Sequence, residues 1–225
     1  MAKILWSQAV LQMRQNLVKV STLGGGYGSG FLIPPPPKAP GNLCAITAFH
    51  AIKHAYETGA TIEIEQPGEN RKISLPSLAR SVFVAHDRDQ AIISFNGPKD
   101  FEKLHEVTFL SKDRHYNPGV ELGWLGFPNL EVSQNVACFL SGRVSAYLED
   151  KEAYLIDGVS IHGLSGGPVF YCSDDQVVMA GIVTNYYPNP VNNQAWPGLA
   201  MFRTINPLMK LYDEQKKKDI PRISG

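Results

Sequence analysis

The sequence predicts an all-β fold of two antiparallel six-stranded β-barrels followed by a C-terminal helix. Short apolar runs of strand length recur in two series of six, and a polar stretch over residues 96–118 separates the two series. Glycine and proline contribute 20 and 16 of the 225 residues, which is typical of a chain with many tight turns. Strands and helices do not alternate as they do in a parallel sheet.

The first series of strands lies in an N-terminal barrel, which we assign to residues 1–100. The run Thr61–Glu65 alternates apolar and charged residues, as a half-exposed strand does. The predicted strands are 17–20, 30–33, 43–47, 61–65, 82–85 and 91–95. A weak helical pattern over residues 2–15 precedes them, and we expect Trp6 to pack against the chain's own barrel. A linker at 101–118 follows.

The second series lies in a C-terminal barrel, which we assign to residues 119–205. The predicted strands are 120–127, 136–148, 153–156, 168–172, 177–184 and 199–202. A C-terminal helix and tail occupy residues 206–225. Asn206 is a suitable N-cap and Pro207 suits the first helical position.

Composition argues against several functional classes. Lys plus Arg and Asp plus Glu are both 21, so there is no basic excess for nucleic acid. No apolar run approaches the ~20 residues of a membrane span, and no signal-peptide cleavage site follows the N-terminus. We therefore expect a cytoplasmic protein without nucleic-acid or membrane partners. Cys44, Cys138 and Cys172 lack metal-site spacing, so we expect no metal and no cofactor.

A glycine-rich segment carries the strongest chemical signal: Gly163-Leu-Ser-Gly-Gly-Pro168, with Ser165 at its third position. A serine hydroxyl becomes a nucleophile when a base removes its proton, and glycines let neighbouring N–H groups converge on a developing oxyanion. A glycine-rich turn that merely exposes Ser165 has the same sequence, so the segment alone leaves both interpretations open.

The same segment matches the Gly-x-Ser-x-Gly pattern of α/β-hydrolases. In that fold the histidine follows the serine along the chain. All six histidines here precede Ser165, which excludes this interpretation; they are His50, His54, His86, His105, His115 and His162.

A base and an orienting acid are expected upstream of the serine. His50 ends the apolar run Ala45–Phe49, and Asp89 directly precedes the apolar run 91–95, which places each at a strand end. We prefer Asp89 to Asp87, which is expected to be a solvated loop charge. Four histidines are interpreted as surface or packing residues: His54, His86, His105 and His115.

These three motifs together resemble the chymotrypsin-like serine proteases. The order His50, Asp89, Ser165 is theirs, with spacings of 89 − 50 = 39 and 165 − 89 = 76 residues. Two further segments resemble the bacterial high-temperature-requirement branch: Gly28-Ser-Gly-Phe-Leu-Ile33 and Gly123-Trp-Leu-Gly-Phe-Pro128. The resemblance covers about residues 17–211.

The resemblance implies a serine endopeptidase that cleaves proteins or peptides through an acyl-enzyme. His50, Asp89 and Ser165 would be the catalytic residues, and the N–H groups of Gly163 and Ser165 would form the oxyanion hole. It also implies a substrate pocket with Val159 at its base, lined by Val159, Ser160, His162, Thr184, Tyr186 and Gly198. Val159 offers no carboxylate, which argues against Lys or Arg before the cut bond.

Two departures from the family concern activation. Leu164 replaces the aspartate that pairs with a new N-terminus in trypsin-like zymogens, and Ala51 stands where secreted members carry cysteine. No accessory peptide-binding domain is expected after residue 211. An alternative is therefore a latent or partner-activated binding module with a protease fold, which would need a separate regulatory protein.

Overall fold

The computed structural model describes residues 4–33, 42–97, 104–109, 115–129, 135–173, 176–191 and 194–219. They form two β-sheets and three helices. The predicted β class is confirmed, with one closed six-stranded barrel, one half-barrel sheet and a C-terminal helix. Two helices were not expected as firm elements, namely α1 (Trp6–Arg14) and α2 (Phe49–Thr58). None of the helices in these ranges is long and apolar enough to span a membrane.

The first sheet is antiparallel and has seven strands in the order β5-β4-β1-β2-β3-β7-β6. Its strands are β1 (Leu17–Thr22), β2 (Tyr27–Ile33), β3 (Asn42–Ala48), β4 (Ile62–Gln66), β5 (Arg71–Leu75), β6 (Arg80–Ala85) and β7 (Gln90–Asn96). Prediction missed β5, because its charged residues mask the apolar pattern. Lys72 of β5 pairs with Glu63 of the neighbouring β4, at 3.1 Å between Nζ and Oε2.

The first sheet does not close into a complete barrel among the described residues, which corrects the predicted six-stranded ring. Its outer strands β5 and β6 are not paired with each other. Arg80 spans this opening instead and donates hydrogen bonds to the carbonyls of Leu75, Ala55 and Ala60. The guanidinium thereby pairs backbone acceptors at the end of β5, in the last turn of α2 and in the loop that follows α2.

The second sheet contains a closed ring of six strands, because β12 pairs with both β9 and β13. Its strands are β8 (Thr108–Phe109), β9 (Glu121–Gly126), β10 (Cys138–Leu148), β11 (Ala153–Val159), β12 (Pro168–Cys172), β13 (Val177–Val191) and β14 (Gln194–Thr204). The short β8 lies inside the stretch predicted as linker and pairs parallel with β13 outside the ring.

Three large apolar cores hold the described part of the fold together, beside a small cluster of Ala153, Leu155 and Met201. One belongs to the first sheet and includes Val20 and Ile64; another belongs to the second sheet and includes Trp124 and Phe202. The third lies between the sheets and combines residues from both, among them Phe31 and Phe170. The two halves therefore share a continuous buried interface.

The terminal helices cross over between the halves. Trp6 of α1 packs on two rings of the second sheet, Phe139 at 5.5 Å and Phe170 at 5.9 Å between ring centroids, as expected for packing within the chain. Helix α3 (Asn206–Asp219) packs on β6 and β7 of the first sheet. It begins at Asn206, one residue before the predicted first helical position at Pro207. Residues 220–225 of the predicted tail lie outside the described part.

Candidate active site

Strand pairing brings His50 and Asp89 together. Ala48 at the end of β3 lies opposite Gln90 at the start of β7, so the residues that adjoin these strand ends are neighbours. His50 is the second residue of helix α2, and its Nδ1 lies 2.7 Å from Asp89 Oδ2. The backbone N–H of His50 donates to Asp89 Oδ1 at 2.9 Å. Asp89 therefore fixes both the ring and the backbone of the histidine.

Asp89 adopts an unusual backbone conformation. Its φ is +51°, in the left-handed region, where Asp is tolerated better than most residues. Its N–H donates to His86 O at 3.2 Å, and its carbonyl accepts from Phe49 N at 3.1 Å. A residue with this φ/ψ costs about 1 kcal/mol or more and persists because its surroundings hold it in place.

Ser165 lies in the second of two consecutive tight turns. Leu164 N donates to Ile161 O at 3.1 Å, and Gly167 N donates to Leu164 O at 2.9 Å. The third residue of each turn is a glycine with positive φ, Gly163 at +95° and Gly166 at +85°. Type II turns require this geometry, which explains why the segment is rich in glycine.

Hydrogen bonds fix the orientation of the carbonyl groups in this segment. Four consecutive carbonyl oxygens, those of residues 162–165, accept hydrogen bonds at 2.6–2.9 Å. In chain order their donors are Asn129 N, Ser29 Oγ, Gly167 N and Ser29 N. A trans peptide unit joins the C=O of one residue to the N–H of the next, and the two groups point in opposite directions. The bond to the carbonyl of residue 162 therefore fixes the N–H of Gly163, and the bond to the carbonyl of residue 164 fixes the N–H of Ser165. Within the described residues, Gly163 N and Ser165 N donate to no acceptor.

A cleft of about 520 Å³ between the two halves brings Ser165 together with His50 and Asp89. Its lining residues are His50, Asp87, Asp89, Ser160, Ile161, His162, Ser165, Asn185, Tyr186 and Arg203. The side chain of His50 is 48 % exposed and that of Asp89 is 26 % exposed. No hydrogen bond joins His50 to Ser165 in the described structure, a contact that is often long before substrate binds.

The predicted pocket residues divide into two sets. Ser160, His162 and Tyr186 line the cleft. Val159 and Thr184 do not. Val159 ends β11, is 47 % exposed and pairs with Leu199. Thr184 is fully buried in β13, and Gly198 lies in β14.

Sequence reasoning missed Arg203, which lines the cleft from β14. Its Nη1 donates to Thr184 Oγ1 at 3.3 Å, and its Nε donates to Lys151 O at 3.1 Å. Burial and the neighbouring charge of Arg88 lower the pKa of Arg203. A charged residue directly after the predicted apolar run 199–202 was the only signal for it.

The remaining histidines lie away from the cleft. His86 packs edge-on against Phe49 at 4.7 Å between ring centroids, and His115 packs against Tyr147 at 5.3 Å. The ring of His54 lies beside Gly24, in the hairpin that joins β1 and β2. No group of three or more His, Cys, Asp or Glu side chains in the described ranges could hold a metal ion.

Two β-barrel halves with a cleft between them and a C-terminal helix give the chain a chymotrypsin-like fold. A solved structure of Deg5 is similar, with a TM-score of 0.65 and 16 % identity over 91 % of this chain and 90 % of the Deg5 chain. Identity this low establishes a likeness of fold alone. No protein-family model matches the chain, and no curated protein matches it.

Proposed function

We propose that this protein is a serine endopeptidase that hydrolyses peptide bonds through an acyl-enzyme. Ser165 Oγ attacks the scissile carbonyl carbon while His50 accepts the hydroxyl proton. His50 then returns this proton to the leaving amine, and water hydrolyses the ester. Asp89 holds the histidine tautomer, and the N–H groups of Gly163 and Ser165 stabilise the oxyanion.

One observation supports the proposal most directly. The N–H groups of Gly163 and Ser165 have no acceptor among the described residues. Ser165 also shares its cleft with His50, whose ring is bound by the Asp89 carboxylate. A buried or half-buried backbone N–H without a partner is uncommon, and a ligand oxygen would explain two of them in consecutive turns. A chymotrypsin-like fold that accommodates protease chemistry is consistent with this role.

A fluorophosphonate probe tests the proposal, because it labels only an activated serine. We expect the wild-type protein to be labelled and to cleave an unstructured protein substrate, and Ser165→Ala to do neither. By analogy with subtilisin, losing the nucleophile lowers kcat by about 10⁶-fold. Ser77→Ala is the matched control, since Ser77 is exposed and distant in sequence. Equal labelling of wild type and Ser165→Ala would contradict the proposal.

We propose a small or medium apolar residue, such as Ala, Val or Leu, before the cut bond. Of the predicted pocket residues, Ser160, His162 and Tyr186 line the cleft. None of these three carries a carboxylate for Lys or Arg, and the Tyr186 ring would narrow the opening. One methylene contributes about 1–3 kcal/mol of discrimination in such a pocket. A peptide library measures the preference. Dominant cleavage after Lys or Arg contradicts the pocket assignment, and dominant cleavage after Glu transfers it to His162 and Arg203.

A latent or partner-activated protease-fold module is the second candidate, and one observation favours it. His50 and Ser165 make no hydrogen bond to each other in the described structure. Under this candidate, the purified wild type reacts with the fluorophosphonate probe no faster than Ser165→Ala, and a regulatory protein is needed to bring the two side chains together.

A further inference from the structure

Ser29 of β2 connects the first sheet to the turns that contain Ser165. Its side chain is fully buried, with 0 % exposure. Its Oγ donates to Gly163 O at 2.6 Å, and its N–H donates to Ser165 O at 2.8 Å. One residue of the first half therefore holds both residues whose N–H groups are unpaired.

The other polar atoms of Ser29 are also used. Its Oγ accepts a hydrogen bond from Phe127 N at 2.8 Å, and its carbonyl accepts from Thr47 Oγ1 at 2.7 Å. A hydroxyl is the side-chain group of this size that both donates and accepts strongly. Ser29 consequently joins β2, β3, the end of β9 and the Ser165 turns in one buried network.

The packing around this network leaves little freedom. A Cβ added at Gly28, the preceding residue, would lie 2.8 Å from Ser165 O, and one added at Gly126 would lie 2.7 Å from Ser29 Oγ. Both glycines thus permit the close approach of β2, the end of β9 and the turns. Because Ser29 belongs to the first half, docking of the halves constrains the turns that carry the two N–H groups.

We propose that Ser29 is a positioning residue that preorganises the oxyanion site. The inference rests on the proposed peptidase function and assigns Ser29 no contact with substrate. Ser29 acts by fixing the peptide units that follow Gly163 and Ser165. These units flank the two peptide units that carry the unpaired N–H groups, so Ser29 holds the turns in the conformation in which those N–H groups converge where negative charge develops. Loss of one directly contacting donor in such sites lowers kcat by about 10²–10³-fold, so loss of its support has a smaller effect.

The test compares Ser29→Ala with wild type in kcat, KM and inhibition by a peptide aldehyde. The hemiacetal that an aldehyde forms with Ser165 places an oxygen at the oxyanion position. We expect kcat to fall about 10–100-fold with KM changed less than about twofold, and aldehyde affinity to fall by a factor similar to that of kcat. A merely structural residue would instead lower the amount of folded protein and leave the kcat of the folded fraction unchanged.

Asn16→Ala is the matched control, because Asn16 is equally buried and its amide bonds Leu32 O and His105 O away from the cleft. We expect it to lower the unfolding temperature without changing kcat. Ser29→Cys provides a second variant of similar size with a weaker donor, and we expect an intermediate kcat. An unchanged kcat in either Ser29 variant overturns the inference. A wild type that does not react with the fluorophosphonate probe overturns the proposed function itself.

Discussion

Asp89 illustrates how much one residue does at this site. Three of its oxygens are engaged: the two carboxylate oxygens bind the ring and N–H of His50, and the carbonyl accepts from Phe49 N. Its left-handed φ is the backbone conformation that allows these contacts from a single position. Replacement of the carboxylate should therefore affect chemistry more than folding.

Asp89→Asn is expected to lower kcat by about 10⁴-fold, by analogy with the trypsin variant. An amide keeps one acceptor for His50 N but presents an NH₂ group to Nδ1, which favours the wrong tautomer of the ring. The unfolding temperature should change little. Asp87→Asn is the comparison, since Asp87 makes no hydrogen bond to a described residue, and its kcat should change less than about tenfold. The reverse ranking of the two variants would assign the acid to Asp87.

At the scale of elements, helix α3 is held to the first sheet by Tyr212. The side chain is 8 % exposed, its ring contacts Phe83 edge-on at 5.0 Å, and its hydroxyl lies 3.1 Å from Cys44 Sγ. Burial, and then the hydrogen bond with Cys44, raise the pKa of the Tyr212 phenol above its ordinary value. The folded state therefore favours the neutral phenol.

Alkaline pH is expected to weaken this attachment. A raised pKa in the folded state means that the stabilisation is complete below the ordinary tyrosine pKa of about 10 and is lost as pH rises beyond it. We expect the unfolding temperature of wild type to fall between pH 9 and 11 more steeply than that of Tyr212→Phe. Some slope should remain in the variant, because burial and Glu65 also raise the pKa of Tyr27. Parallel curves would contradict the role of Tyr212.

At the scale of the whole molecule, polar contacts join the halves beside the shared apolar core. Arg88, which is buried next to Asp89, pairs with Glu152 of the second half. Gln90 Nε2 donates to Thr204 O at 3.0 Å. Helix α1 adds Trp6, whose Nε1 donates to Glu121 Oε1 at 3.3 Å.

Trp6→Ala tests the contribution of α1. The loss of two ring contacts and one hydrogen bond from a half-buried site should lower the free energy of unfolding by roughly 2 kcal/mol, below the range for fully buried tryptophans. Urea denaturation measures this change. Leu5→Ala is the neighbouring control, because Leu5 is 63 % exposed, and it should have almost no effect. Equal stability of the two variants would show that α1 contributes little.

The sequence predicts well where local pattern and tertiary structure agree. Apolar runs located the strands that end at His50 and begin after Asp89, because these strands are buried on both faces. It fails where packing overrides pattern. Strand β5 is charged, α2 follows a strand without any cap signal, and the reach of Arg203 depends on its long side chain. Likewise, Ser29 Oγ lies 2.6 Å from the carbonyl oxygen of Gly163, which is more than 130 positions away in the sequence. No periodic pattern in the sequence indicates such a contact.

The crossing of the terminal helices has a thermodynamic consequence. Helix α1 packs on the second sheet and α3 packs on the first. If one half unfolds, apolar residues of the other half therefore become exposed to water. Unfolding should therefore be a single cooperative transition, although the chain has two sheets. Ser29 of the first half bonds the turns that carry the two N–H groups beside Ser165, so these turns lose their support in that same transition. Under the proposed function, loss of the fold and loss of hydrolytic activity would then coincide.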